Sequence, residues 1–295
     1  MSALPESSGT ANLPCVSTAP EPLTLHDVIE AFEGSYDPAW AASWDAVGLV
    51  CGEPTQRVRR IVFAVDPVAD VVDEALHWGA DLIVTHHPLL LRGVSSVAAT
   101  TPKGRLIHRL ISAGTALYTA HTNADTAAPG VSDALAAAVG LEPTSLRPLA
   151  PDPTDPTGRR GIGRIGTLPQ PMPLRAFVEQ VRAGLPATAT GVRAAGDPER
   201  RVATVAVSGG AGDSLLETAR AAGVDVYLTS DLRHHPSSEF VEHGDIALID
   251  TAHWASEWPW LTEAAKQLTH VLASQATNVE TRVSTIVTDA WSQAL

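Results

Sequence analysis

Two segments of the chain repeat one another, and this repeat limits the possible folds more than any other feature. A shift of 144 residues aligns four positions in each segment: Ala75, Gly79, Asp81 and Thr85 with Ala219, Gly223, Asp225 and Thr229. Both segments predict strand, helix and strand, because short β-branched runs flank apolar residues at helical spacing. A shift of 132 residues then aligns Thr119-Ala120-His121 with Thr251-Ala252-His253, and Asp125 with Glu257. The sequence therefore predicts duplicated α/β lobes, with mixed or parallel sheets flanked by helices.

Length and composition divide the chain into predicted domains. A chain of 295 residues is long enough for two domains, each with its own core. Residues 1–22 carry few large apolar groups and are predicted to form a disordered N-terminal tail. Residues 143–160 contain five prolines and are predicted to be a Pro-rich linker. The first α/β lobe is therefore predicted over residues 23–142, and the second over residues 161–295, including a C-terminal helix at 259–274.

Charge and cysteine content disfavour several classes of protein. A formal net charge of −13 disfavours a nucleic-acid or anionic-membrane surface, since phosphate binding depends on Lys and Arg. The cysteines are Cys15 and Cys51 alone, so no disulfide framework is predicted. The chain lacks a run of 18 apolar residues, and residues 1–22 have neither the basic start nor the apolar run of a signal peptide. We therefore expect a cytoplasmic protein.

Two adjacent histidines, His86 and His87, follow the apolar run of residues 81–85 and precede Pro88. The run is short and β-branched, so it predicts a buried strand that the proline ends. Neighbouring side chains on a strand point to opposite sides, so the two imidazoles suit two adjacent ions better than one. Open α/β sheets bind ligands at the carboxyl ends of their strands, where both rings are predicted to lie. A pair of surface or packed histidines is the alternative interpretation.

The repeat predicts that further histidines and acids join this pair at strand ends. The predicted cluster contains His86, His87, His121, Asp125, His253 and Glu257. Imidazole and carboxylate together suit Zn, Fe, Mn or Ni, and acids offset the repulsion between two close cations. His121 is either a ligand, like its counterpart His253, or an outer group that Thr122 and Asn123 hold in place. The alternative is that these residues are solvated loop positions.

Five motifs, in order along the chain, resemble those of a known family. They are residues 43–49 (SWDAVGL), 85–89 (THHPL), 121–125 (HTNAD), 229–235 (TSDLRHH) and 250–257 (DTAHWASE). Over residues 24–290 the sequence is similar to the NGG-interacting-factor-three-like family, whose members are also called GTP cyclohydrolase I type 2 homologues. Ala252 stands where the family usually has Gly, and Trp254 where Tyr is common, which affects only the local backbone path.

This resemblance implies a fold, a metal site and an assembly. The implied fold is a duplicated α/β fold with a dinuclear metal site in the cleft between the lobes. The implied assembly is a homohexamer, built as a trimer of dimers. By motif position, the implied metal ligands are His86, His87, Asp125, His253 and Glu257, with Glu257 bridging the two ions. The resemblance alone suggests a purine nucleotide such as GTP as the substrate.

A second histidine pair, His234 and His235, follows the corresponding strand of the second repeat. The pair lies four residues beyond the positions that align with His86 and His87, so we predict a general acid/base role instead of metal binding. A loop pair satisfied by hydrogen bonds is the alternative.

Two glycine-rich segments and three tryptophans complete the list of candidates. Residues 161–166 (GIGRIG) match the dinucleotide-binding pattern by letter, but the preceding strand and following helix are missing, so we predict a strand and no NAD site. Residues 208–212 (SGGAG) lie between a predicted strand and helix and either hold a phosphate or form a tight turn. Trp254, Trp258 and Trp260 are predicted to be core or subunit-contact residues.

The predicted function is hydrolysis by a water molecule that two divalent cations activate. Two rival functions stay open. A metal-dependent phosphoester hydrolase needs phosphate recognition, which the sparse Lys and Arg near the motifs weaken. A non-catalytic, ring-shaped metal-binding scaffold needs no open coordination position and no acid/base pair.

Overall fold

The first sheet contains five strands around a parallel core. The structure is a computed structural model that describes residues 23–274 and 279–294. The strands are β1 (Gly48–Cys51), β2 (Arg60–Ala64), β3 (Leu82–Thr85), β4 (Ala116–Thr119) and β11 (Glu280–Val283). Their order is β1-β4-β3-β2-β11, with β1 antiparallel to β4 and the other neighbours parallel. The central strand β3 is buried along its whole length, as expected for a parallel sheet covered on both faces.

The helices that pack on this first sheet include α1 (Leu25–Glu33), α2 (Ala69–Trp78) and α3 (Pro102–Ala113). α1 begins at a capping box, in which Thr24 Oγ1 accepts from the Asp27 N–H and the Asp27 carboxylate accepts from the Thr24 N–H. α2 ends at Gly79, whose φ of 74° is the left-handed conformation that favours glycine. The apolar clusters place α2 and α3 on one face of the sheet and α1 on the other.

The second sheet contains six strands around a second parallel core. They are β5 (Arg147–Pro151), β6 (Gly161–Pro173), β7 (Arg193–Ala195), β8 (Arg201–Ala211), β9 (Val226–Ser230) and β10 (Ala247–Thr251). Their order is β5-β6-β8-β9-β10-β7; β8, β9 and β10 are parallel, and the other pairs are antiparallel. The remaining helices are α4 (Thr122–Thr126), α5 (Val131–Ala138), α6 (Leu174–Gly184), α7 (Leu216–Ala221), α8 (His234–Glu242) and α9 (His253–Ser274).

The strand registers confirm the predicted duplication. Ile61 pairs with Leu82 in the first sheet and Val205 with Val226 in the second, so both partners keep the 144-residue shift. Each parallel core also carries a short antiparallel edge strand, β1 beside β4 and β7 beside β10. The fold is therefore two mixed sheets flanked by helices, each built on the same β-α-β-α-β unit.

The structure differs from the predicted domain division in two places. Residues 147–151, inside the predicted linker 143–160, form β5 and pair with β6. Pro148 and Pro151 are tolerated there because β5 is an edge strand, and Leu149 is buried in the core of the second lobe. β11 pairs with β2, so the end of the predicted second lobe returns to the first sheet. The predicted tail at 1–22 lies outside the described residues.

The last helix, α9, begins at His253, six residues before the predicted start, and contains Pro259. A proline inside a helix removes one backbone hydrogen bond. Trp260 and Leu261 are fully buried in one cluster with Phe32 of α1, and this packing outweighs the lost bond. The early start places His253 in the first turn of a helix. Among the residues that the structure describes, no helix is long and apolar enough to cross a membrane.

Candidate metal site

The structure brings together all six predicted site residues: His86, His87, His121, Asp125, His253 and Glu257. The first four follow β3 and β4 of the first sheet, and the last two lie in the first two turns of α9, directly after β10. Both lobes therefore direct histidines and acids from their strand ends into one volume, where ligands of open α/β sheets bind.

The Glu257 carboxylate lies at the centre of the cluster. Its side chain is 3 % exposed, and its Oε1 atom lies 3.4 Å from His86 Nε2 and 3.0 Å from His253 Nε2. Its Oε2 atom lies 3.0 Å from His87 Nε2. Asp125 Oδ1 lies 3.7 Å from His86 Nε2. One carboxylate therefore contacts imidazoles from both lobes.

Each of the four histidines has its Nδ1 atom next to an oxygen atom. His86 Nδ1 lies 2.9 Å from the backbone oxygen of Ala120. The other three meet carboxylates at 2.7–2.9 Å: His87 with Asp66, His121 with Asp45, and His253 with Asp231. In the neutral ring, Nδ1–H donates to this oxygen, so Nε2 has the lone pair that a metal ion needs. Metal-ligating histidines are oriented in this way.

Two buried polar atoms at the centre, His86 Nε2 and Glu257 Oε2, have no hydrogen-bond partner within the described part of the chain. Buried polar atoms are rarely left unsatisfied. A cation that replaces the imidazole protons satisfies both atoms at once. Two groups of side chains have ligand atoms within 4.8 Å of one another: His86, His87 and His121, and His87, His253 and Glu257. This donor set fits a metal ion.

Without a cation, protons on imidazoles balance the charge of Glu257. Burial lowers the pKa of His87, but the charges of Glu257 and Asp66 raise it to about 10. Burial likewise lowers the pKa of His253, and Glu257 and Asp231 raise it to about 11. Burial raises the pKa of Glu257, but the surrounding imidazoles hold it well below its usual range. A metal ion that binds here replaces these protons.

His121 differs from the other imidazoles in its charge. Burial lowers its pKa, and the neighbouring charge of His86 lowers it further, so His121 is neutral at pH 7. The neutral ring donates Nδ1–H to Asp45 and leaves the Nε2 lone pair available to a metal ion. This favours His121 as a metal ligand over His121 as an outer group. Burial raises the pKa of Asp125 to about 6.

Asn123 takes the outer position that the sequence suggests for it. Its Oδ1 atom accepts a hydrogen bond from the His121 backbone N–H at 2.9 Å, and its Nδ2 atom donates to the backbone oxygen of Tyr36 at 2.7 Å. Asn123 is fully buried. It therefore fixes the backbone of His121 and not the ring.

Sequence reasoning missed the three carboxylates that hold the imidazoles. Asp45 and Asp231 stand inside recognised motifs without an assigned role, and Asp66 stands two residues beyond β2. Asp231 directly follows β9 and adopts a φ of 57°, a left-handed conformation that Asp tolerates better than most residues. Ligands of open α/β sheets lie at the carboxyl ends of the strands, and this expectation points to Asp66 and Asp231 as well as to the histidines. It does not predict which imidazole each acid contacts.

The glycine-rich segment 208–212 supplies space for the cluster. A Cβ atom on Gly210 would lie 2.5 Å from Glu257 Oε1 and 3.1 Å from His253 Nε2. The Gly210 N–H donates to Ser256 Oγ at 2.9 Å, and the Gly212 N–H donates to a backbone oxygen at 3.3 Å. These two N–H groups are used within the protein, which disfavours a phosphate site. Residues 208–211 lie inside β8, where its register against β9 is irregular, so the predicted tight turn is not formed there either. The other segment, 161–166, lies inside β6, as predicted.

The cluster opens into a cavity of about 570 Å³. Its lining includes four cluster residues, two tryptophans and the glycine-rich segment: His121, Asp125, His253, Glu257, Trp40, Trp44 and Ser208–Ala211. Small-molecule sites typically have volumes of roughly 300–1,000 Å³. The arrangement therefore suits chemistry on a small molecule.

His234 and His235 begin α8, are exposed, and have ring centroids 5.1 Å apart. Neither lines the cavity at the cluster. His234 lines a second cavity of about 360 Å³ together with Arg193 and Asp250. The acid/base role of the pair stays a prediction.

Trp254 and Trp260 are buried in the core, as predicted, and Trp258 packs against that core.

Comparison with known proteins identifies the family. A family model described as Duf34/NIF3 (NGG1p interacting factor 3) matches residues 23–290. This chain belongs to the Duf34/NIF3 family. Two relatives named "GTP cyclohydrolase 1 type 2 homolog", from Streptomyces coelicolor and Mycobacterium tuberculosis, are 56 % and 40 % identical to it. Each match covers 91 % of this chain, with 93 % of the first relative and 96 % of the second.

Solved structures show the same Duf34/NIF3 fold. Staphylococcus aureus hypothetical protein SA1388 gives a TM-score of 0.84 at 25 % identity, over 93 % of this chain and all of that chain. A Bacillus cereus protein related to NIF3 gives 0.83 at 24 % identity, over 92 % of this chain and 99 % of that chain. The predicted resemblance and fold class are therefore confirmed, and the buried His and Glu group of this family member can hold a metal ion.

Proposed function

We propose that this Duf34/NIF3 protein is a hydrolase that uses two divalent cations to act on a purine nucleotide or a related heterocycle. The proposed ligands are His86, His87, Asp125, His253 and Glu257, with His121 as a further candidate. Zn, Fe, Mn and Ni all suit this mixture of imidazole and carboxylate. When bound, the cations supply activated water, whose pKa a cation lowers from 15.7 to about 7, and polarise the group under attack.

The observation that carries the proposal is the convergence of three Nε2 atoms on the Glu257 carboxylate. Oε1 faces His86 and His253, and Oε2 faces His87, so the two oxygens contact different rings. This arrangement supports the predicted bridging role. The oxygen atoms at each Nδ1 position fix the rings in advance, so little reorganisation is needed when a ligand binds.

The choice of substrate has weaker support than the choice of chemistry. The cavity of about 570 Å³ is large enough for a heterocycle. The curated relatives carry the name "GTP cyclohydrolase 1 type 2 homolog", which favours a purine compound. The cytoplasmic location and the homohexamer stay predictions. Light scattering on the eluting peak of a sizing column tests the assembly.

Turnover of a nucleotide panel by protein reconstituted with Zn, Mn, Fe or Ni tests the function. Release of formate from GTP supports a cyclohydrolase, and release of inorganic phosphate supports the phosphoester hydrolase instead. Absence of any product with all four metals overturns the hydrolase proposal in favour of a metal-binding scaffold.

A matched pair of variants links any turnover to the site. Glu257→Gln removes the central carboxylate, and Glu263→Gln makes the same change elsewhere on α9, where the side chain is 47 % exposed and pairs with Lys266. We expect Glu257→Gln to abolish turnover and Glu263→Gln to retain it. Equal activity in the two variants would show that the product arises elsewhere.

A further inference from the structure

Trp44 lines the cavity at the metal cluster with most of its indole uncovered. The residue is 62 % exposed, and it packs edge-to-face with His121, whose ring centroid lies 5.9 Å away at an interplanar angle of 80°. The next residue, Asp45, accepts hydrogen bonds from the Thr122 N–H and from His121 Nδ1, which fixes this segment relative to the cluster. An exposed indole beside a ligand cavity offers an apolar face for a planar ligand.

Trp40 lines the same cavity, but its ring is already covered. The Arg160 guanidinium lies 4.4 Å from the ring centroid, in a cation–π contact. Arg160 also pairs with Asp152 at 3.1 Å, which holds the guanidinium in place. Of the two tryptophans, Trp44 is therefore the one whose ring is open to a ligand.

The charge around the cavity disfavours a polyphosphate. Five carboxylates lie within the cluster or against its imidazoles: Asp45, Asp66, Asp125, Asp231 and Glu257. Two divalent cations bring four positive charges against these five negative ones. A triphosphate would add further negative charge to a chain whose formal net charge is already −13.

Basic side chains that could offset this charge are missing from the cavity or already paired. Among the described residues that line the cavity there is no Lys or Arg. Arg233 pairs with Asp213, and Arg193 pairs with Asp250. Phosphate recognition normally uses free guanidinium or ammonium groups. Only direct contact with the cations would remain for a phosphate chain.

We infer that the substrate class is an aromatic heterocycle on an uncharged body, such as a nucleobase or nucleoside, with Trp44 as its stacking wall. This inference rests on the proposed function and narrows its substrate. The hydroxyl groups of Ser132 and Ser208, both buried at the cavity, are suited to hydrogen-bond ring nitrogen and oxygen atoms. Trp44 is thereby a specificity-determining residue that contributes no metal ligand.

Equilibrium binding to the metal-loaded full chain tests the inference without relying on turnover. Calorimetry with guanosine, adenosine, GTP and inorganic triphosphate measures each affinity directly. We expect a nucleoside to bind at least as tightly as GTP, and inorganic triphosphate to bind more weakly than either nucleoside. Trp44→Ala should weaken nucleoside binding by about 5- to 150-fold, the range for loss of base–aromatic stacking. Trp44→Phe, which keeps an aromatic face, should lose less.

Trp291→Ala is the matched control. Trp291 is 69 % exposed and lines the neighbouring cavity beside His253 and Asp231, so it has similar exposure without lining the cavity at Trp44. We expect its nucleoside affinity and the metal content of all three variants to match the parent protein.

Three results would overturn the inference: no binding of either nucleoside, tighter binding of GTP than of guanosine, or unchanged nucleoside affinity in Trp44→Ala. The proposed function fails separately. Nucleoside binding that depends on Trp44, without product from any substrate, contradicts the hydrolase and supports the inference. Turnover with an unchanged KM in Trp44→Ala supports the hydrolase and contradicts the stacking role of Trp44.

Discussion

The two lobes hold the start of their first parallel strand in the same way. In the first lobe, Asp81 accepts two consecutive backbone N–H groups at 2.7 and 3.0 Å. In the second, Asp225 lies 144 residues later and accepts the two corresponding groups, both at 2.8 Å. The donors are Arg59, Arg60, Ala203 and Thr204. At this end of the strands the repeat is preserved in sequence and in hydrogen bonding.

At the opposite end of the strands the lobes differ. The first lobe has His86 and His87, and the 144-residue shift places Ser230 and Asp231 at these positions in the second lobe. His87 directs Nε2 at the cluster centre, whereas Asp231 holds the Nδ1 atom of His253. Equivalent positions therefore supply a candidate ligand in one lobe and an orienting acid in the other.

The adjacent strand shows a second division of roles. In the first lobe Asp66 holds His87, and the same shift places Gly210 at the corresponding position. A side chain on Gly210 would overlap Glu257, whose carboxylate fills that space. The two equivalent strand ends can share one site because their side chains differ in role: Asp66 orients a ring, and Gly210 leaves space for Glu257.

The largest expected effect compares the two acids related by the 132-residue shift, Glu257 and Asp125. Glu257→Gln should weaken metal binding by more than about 100-fold, the upper limit for loss of an orienting partner. Asp125→Asn should cost less, because Asp125 contacts a single imidazole of the cluster at 3.7 Å. Competition with a chelator of known affinity measures both constants. Equal losses would mean that the lobes contribute equally, contrary to the division described above.

The next effect tests the space that the second lobe leaves open. Gly210→Ala places a Cβ atom against Glu257 Oε1, so we expect metal affinity to fall by about 100-fold, as for loss of an orienting contact. Gly223→Ala is the control, since Gly223 has nearly the same φ, 67° against 68°, but no atom within 4 Å of the added carbon. Both variants carry left-handed strain of about 1–2 kcal/mol, visible as a lower melting temperature. Loss of metal in both would show that strain, and not contact with Glu257, is responsible.

The parts of the site that depend on local pattern could be predicted from the sequence. β3 lies within one residue of its predicted bounds, 81–85, since short β-branched runs ended by turn residues have few alternatives. Because ligands bind at the carboxyl ends of parallel strands, the segments that follow β3 and β4 were expected at one edge of the sheet. The repeat then predicted that His253 and Glu257 join them. These inferences need only neighbours in sequence and the general geometry of α/β sheets.

The parts that depend on distant contacts could not be predicted. His121 meets Asp45 across 76 residues, and His253 meets Asp231 across 22, so no local pattern pairs them. The start of α9 before Pro259 is set by packing against α1, which outweighs the local preference for a break. β5 forms in a proline-rich segment because an edge position tolerates the missing donors.

A smaller effect compares the orienting acids of the two lobes, Asp66 and Asp231. Asp66→Ala and Asp231→Ala should each weaken metal binding by about 10- to 100-fold, because the imidazole loses the partner that fixes its Nδ1 atom. Thr288→Val should have a milder effect in the same direction, since Thr288 Oγ1 donates to Asp66. Asp73→Ala, at an exposed ion pair with Arg109, is the control that should leave affinity unchanged. An effect at only one of the two acids would mean that one lobe holds the metal alone.

The smallest expected effect concerns Asp81 and Asp225, the equivalent acids that accept backbone N–H groups in the two lobes. Asp81→Asn and Asp225→Asn should each lower the free energy of unfolding by about 1 kcal/mol at pH 7, because an amide oxygen accepts hydrogen bonds more weakly than a carboxylate. Burial raises the pKa of Asp225, but hydrogen bonds from Thr204 and Ala203 outweigh it and lower the pKa. Such an acid stabilises the fold above its unfolded pKa of about 3.9 and loses that contribution as pH falls through the lower folded value. Urea unfolding with a chelator present should therefore separate Asp225→Asn from the parent at pH 7, and the difference should shrink as pH falls from about 3.9 through the lower folded pKa. A lower free energy of unfolding for Asp81→Asn but not for Asp225→Asn would contradict the comparison. The lobes would then share the aspartate in sequence but not its stabilising hydrogen bonds.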